Sequence, residues 1–106
     1  MTAMNAVLFN QAIQAQGKPV LVEFWANWCV YCRRIAPALS QLSQQYARTL
    51  HVGLVNIDEE PELARAEHIE LVPTLILYRN GQALGSITAP GSKADIEKII
   101  RETLGI

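Results

Sequence analysis

The chain has 106 residues, half of them hydrophobic and 18% charged, and its nine basic and ten acidic side chains leave a formal net charge of −1. This composition suits one folded domain spanning residues 1–106 with a core of its own, and it excludes intrinsic disorder. A near-neutral balance offers no field to attract nucleic acid or an anionic membrane, and no apolar run is long enough for membrane insertion. The segment Met1 to Gln16 lacks the basic start of a secretory signal, so the expected compartment is the cytoplasm, or the periplasm if a leader has been removed.

In chain order, Phe9 and Ile13, with Leu8, Ala12 and Ala15 beside them, recur at helical spacing from Asn5 to Gln16, and Gly17-Lys18-Pro19 ends the pattern. Val20 to Trp25 is a short, almost wholly apolar run rich in β-formers, the signature of a strand buried on both faces. Ile35, Leu39, Leu42 and Tyr46 then mark a helix that starts near Cys29 and ends around Ala47 to Thr49, with Pro37 inside it as a source of a kink. A second buried strand, His51 to Ile57, follows a crossover long enough for parallel pairing. Glu60-Pro61 suits the entry of a short helix running to about His68. Thr74 to Tyr78 and Ala83 to Thr88 flank Asn80-Gly81, a two-residue hairpin signal. Ser92 and Asp95 resemble a capping box for a last helix, whose apolar face is Ile96, Ile99, Ile100 and Leu104 and whose end is Gly105. The predicted class is α/β: a mixed central sheet of about four strands with helices on both faces.

Cys29 and Cys32 are too close in sequence to serve as a structural staple, because closing so short a loop removes little entropy from the unfolded chain. At a helix start after a buried strand they have a chemical use. Unpaired N–H groups and the helix dipole favour a thiolate at Cys29, the nucleophile, and Cys32, one turn on, is placed to resolve a mixed disulfide. Half of a zinc site is the competing reading, but it needs two further ligands. His51 and His68 stand seventeen residues apart and no second Cys-x-x-Cys exists, so no metal is expected.

Glu23 interrupts the apolar strand. Alternation puts Leu21, Glu23 and Trp25 on one face, and a helix packed there would set the carboxyl behind the cysteines, able to exchange the proton of Cys32. An exposed or salt-bridged glutamate is the alternative. Pro73 is compatible with an ordinary trans strand opening, which frequency favours, or with a cis peptide that turns the Val72 backbone outward to an extended segment. Arg33 and Arg34 add positive potential near Cys29 or simply form a solvated face.

Val22-Glu23-Phe24-Trp25-Ala26-Asn27-Trp28-Cys29, then Cys32, Pro37, Val72-Pro73-Thr74 and Asn80-Gly81, together resemble the thioredoxin family in order and spacing over roughly residues 5 to 104. The resemblance implies the thioredoxin fold with its first strand missing or very short, a cis Pro73, and a substrate groove formed by Trp28, Val72 and Pro73. It supports Glu23 where the family more often has a buried aspartate. Four positions depart from the pattern: Val30-Tyr31 replace glycine and proline, Leu54 stands for a buried lysine, and Ala89 for a glycine. The implied activity is reduction of protein disulfides by a monomer with no bound cofactor. Its redox-active Cys29–Cys32 disulfide would be restored by a thioredoxin-reductase-like electron donor. An electron-relay domain of a membrane disulfide reductase system, a peptide-binding module and a zinc-binding module are the alternatives.

Overall fold

A computed structural model describes residues 1–106. Its elements are β1 (Thr2–Ala3), α1 (Ala6–Gln14), β2 (Val20–Trp25), α2 (Val30–Gln45), β3 (His51–Asn56), α3 (Pro61–Ala66), β4 (Thr74–Arg79), β5 (Gln82–Thr88) and α4 (Lys93–Leu104). The sheet runs β1-β3-β2-β4-β5, with β3 parallel to both β1 and β2 and with β4 antiparallel to β2 and β5. It is mixed, as expected, and has five strands because the first is present in its very short form, pairing Thr2 with Gly53 and Ala3 with Leu54. No helix is long and apolar enough to cross a membrane.

Period-two alternation in β2 divides the core between two helical layers. Val20, Val22 and Phe24 point to one face, where Phe9 and Ile13 of α1 and Leu63 of α3 cover them. Leu21 points to the other, against Ile35, Leu39 and Leu42 of α2 and Ile96 and Ile100 of α4. Phe9 sits edge-on to both Phe24 and Tyr78, at centroid distances of 6.2 and 5.2 Å, an arrangement aromatic quadrupoles favour. Glu23 therefore lies on the α2 face of a central strand, flanked in register by Leu54 of β3 and Leu75 of β4.

Local chemistry fixes the element ends. Asn5 caps α1 by accepting the Leu8 N–H, and the helix stops at Gln14, short of the expected Gln16, ahead of Gly17 at φ +112°. α2 ends at Gln45 rather than at residues 47–49 because the chain tightens into successive turns: the Ala47 N–H reaches Gln44, and the Thr49 and Leu50 N–H groups both reach Tyr46. Pro37 is accommodated inside a continuous α2. Asn80 and Gly81 both take positive φ, which suits the two-residue turn between β4 and β5. Ser92 accepts the Asp95 N–H at the start of α4, and Gly105 closes it in the left-handed region.

Candidate active site

The site lies where β2 hands the chain to α2. Cys29 is the N-cap of α2, and its Sγ accepts the Cys32 N–H at 3.1 Å, one of the amides that a helix start leaves without a backbone partner. The two cysteines, 5.3 Å apart between Cα atoms, are joined in a disulfide. Both are buried, Cys32 (3% exposed) more deeply than Cys29 (7%), which places Cys29 nearer the surface. A sulfur held on a helix N-terminal amide is in the setting that favours its anionic form once reduced, because the dipole and the N–H both face it.

Glu23 lies behind the pair, as strand alternation anticipates. It is 4% exposed, and its Oε2 is buried with no hydrogen-bond partner, so the exposed and salt-bridged alternatives do not hold. Desolvation raises its pKa from an ordinary 4.5 to about 7. The carboxyl and Cys32 line one recess of about 160 Å³, walled by Trp25, Leu39 and Leu54 and bordered by Arg33. The Arg33 guanidinium donates to the Asn27 carbonyl at 3.0 Å. No group of three or more His, Cys, Asp or Glu side chains gathers here to hold a metal.

Two further elements complete the surroundings. The Val72–Pro73 peptide is cis, as the resemblance implies. Thr74 Oγ1 donates to the Leu71 carbonyl at 2.6 Å, fixing the turn before it, and the Ala89 N–H donates to the Pro73 carbonyl at 2.8 Å. Trp28 is 64% exposed, and its indole N–H donates to Asp58 Oδ2 at 2.9 Å. Val72, half-buried, packs against the cysteines and Pro73 is buried, while Trp28 and Val30 on either side of Cys29 in sequence and Leu71 beside Val72 leave exposed apolar surface.

Neither Asp58 nor the partner of Tyr31 is legible in the sequence as part of the site. Asp58 follows β3 just as Trp28 follows the parallel β2, so the rule that parallel strands end on the same edge was the available signal. Tyr31 donates its hydroxyl to the Pro90 carbonyl at 2.5 Å, tying the cysteine turn to the segment between β5 and α4 across fifty-nine residues of sequence. No local pattern announces that contact. In the same segment Ala89 sits at φ +47°, the left-handed region that disfavours side chains. Ala89→Gly is therefore expected to raise stability by about 0.5–1 kcal/mol. Urea unfolding of the oxidised protein tests this, and an unchanged or lower midpoint would contradict it.

The thioredoxin family model matches residues 1–102. Thioredoxin 1 of Synechococcus elongatus is 33% identical over 102 residues, covering 96% of this chain and 95% of its own. The thioredoxin of Alicyclobacillus acidocaldarius is 38% identical over 96 residues, covering 91% and 90% respectively. A bifunctional thioredoxin reductase/thioredoxin of Mycobacterium leprae is 37% identical over 86 residues, which is 81% of this chain and 19% of that protein. With a disulfide at a helix start, a buried acid behind it and these relatives, the chain belongs to the thioredoxin family and is a thiol-disulfide oxidoreductase.

Proposed function

We propose that this single-domain protein reduces protein disulfides with Cys29 as nucleophile and Cys32 as resolving thiol. The placement of the Cys29 sulfur on the Cys32 amide at the start of α2 carries the assignment. In the first step Cys29 thiolate attacks a substrate disulfide, forming a mixed disulfide and releasing one substrate thiolate. Cys32 then gives its proton to Glu23 and attacks the Cys29 sulfur, forming the Cys29–Cys32 disulfide and releasing the second substrate thiolate, which takes up a proton. Two electrons pass from the protein to the substrate. Trp28, Val72 and Pro73 hold the substrate segment beside Cys29.

The pair is then returned to the dithiol by a thioredoxin-reductase-like donor. The joining of thioredoxin reductase and thioredoxin in the Mycobacterium leprae relative supports that partner. No bound cofactor enters the cycle. The proposal places the protein in the cytoplasm as a monomer that carries electrons from the reductase to disulfide substrates. Insulin reduction with dithiothreitol as electron source is the test: addition of the protein is expected to shorten the lag before the freed B chain precipitates. A time course no faster than dithiothreitol alone would refute the reading.

A further inference from the structure

The apolar surface around Cys29 is not electrically symmetric. Of the ten acidic residues in the chain, six lie between Asp58 and Glu70, accompanied by Arg65 as the only Lys or Arg, whereas the remainder of the chain has four acidic and eight basic residues. This segment contains α3 and leads directly into Leu71-Val72-Pro73. It meets the apolar surface at two points. Asp58 accepts the Trp28 indole N–H, and Glu67 and Glu70 line a hollow of about 340 Å³ shared with His68, Leu71, Thr74 and Thr88. No ion pair within the chain neutralises any of these carboxylates, since the one salt bridge joins Lys98 and Glu102 on α4.

The other flank differs. Tyr31 is bound to the Pro90 carbonyl there, and Arg33 and Arg34 stand exposed on α2. A polypeptide lying beside Val72 has its continuation toward Leu71, a leucine left 67% exposed at the lip of the acidic hollow. An exposed apolar side chain next to carboxylates that have no counter-ion in the chain fits a partner that brings an apolar contact together with cations.

We infer that this surface selects disulfide polypeptides carrying Lys or Arg beside the reactive cysteine, with Leu71 as a specificity-determining contact and Asp58, Glu67 and Glu70 supplying the complementary charge. The inference rests on the proposed disulfide reduction and names its substrate class. Rim charges of this kind act mainly on encounter rate and partner choice, so the preference should weaken as salt screens them.

The test uses two synthetic peptide disulfides, identical except that lysines or glutamates flank each cysteine, reduced by the full chain. A kcat/KM ratio of about tenfold in favour of the lysine peptide is expected at about 20 mM salt, falling to about twofold at about 0.5 M. Glu70→Lys should cut the low-salt ratio by about threefold, and the distant Lys98→Glu should leave it in place. Leu71→Ser should raise KM for both peptides by about fivefold with kcat retained. Equal rates for the two peptides at low salt, or a preference that salt does not diminish, would overturn the inference while leaving disulfide reduction intact. Failure to reduce either peptide would overturn both.

Discussion

Cys29→Ser is expected to abolish disulfide reduction, a loss of several orders of magnitude, because a serine hydroxyl has neither the acidity nor the nucleophilicity of a thiol on the α2 amides. Cys32→Ser is expected to lose turnover as completely but for a different reason. Its Cys29 still attacks, and with no resolving sulfur one turn away the mixed disulfide accumulates. Non-reducing electrophoresis after incubation with oxidised insulin separates the two variants: an adduct for Cys32→Ser and none for Cys29→Ser. Reversed or equal trapping would contradict the assignment of roles. The asymmetry has a structural source, since Cys29 caps the helix and lies nearer the surface whereas Cys32 faces the Glu23 recess.

Removing the buried acid is expected to have the second largest effect, in opposite directions on stability and on turnover. The Glu23 carboxyl is held at about 7 in the fold against an ordinary 4.5. Below pH 4.5 it is protonated in both folded and unfolded chains and adds no ionisation penalty. Between 4.5 and 7 the unfolded chain ionises while the folded one does not, so stability falls as pH rises, by about 3 kcal/mol in all, and above 7 the deficit is constant. Glu23→Gln does not titrate and should escape this fall, making it the more stable protein at pH 8 by on the order of 2–3 kcal/mol relative to the comparison at pH 4.5. Urea unfolding of the oxidised forms at the two pH values measures the difference, and parallel behaviour would rule it out.

Turnover should move the other way. Wild-type resolution is expected to quicken as pH rises through about 7, where Glu23 becomes able to accept the Cys32 proton, and Glu23→Gln should flatten that rise and slow the step on the order of a hundredfold. Stopped-flow decay of the mixed disulfide reads this directly. Because an apolar Leu54 flanks Glu23 in register, Leu54→Lys provides an independent check. A cation there should draw the carboxyl pKa downward in an NMR titration, and an unmoved pKa would mean that position 54 does not face a desolvated carboxyl.

What the sequence determined by itself were the features encoded over short distances. The apolar run Val20 to Trp25, the spacing of Ile35, Leu39 and Leu42, the Asn80-Gly81 turn and the Ser92 cap each state a local conformation through side-chain period or backbone freedom, and each element formed within a few residues of its expected bounds. Cys29 and Cys32 were legible for the same reason, being chemistry placed at a predicted helix start. Glu23 was legible as an anomaly, a carboxyl on a strand that should be dry. The tertiary structure decided everything that depends on which distant segments meet. It left Glu23 Oε2 with no partner, and set Asp58 on the Trp28 indole and the Pro90 carbonyl on the Tyr31 hydroxyl. These contacts join residues thirty or more positions apart, and their energies come from desolvation and hydrogen bonds that exist only once the sheet has brought β2, β3 and β4 side by side.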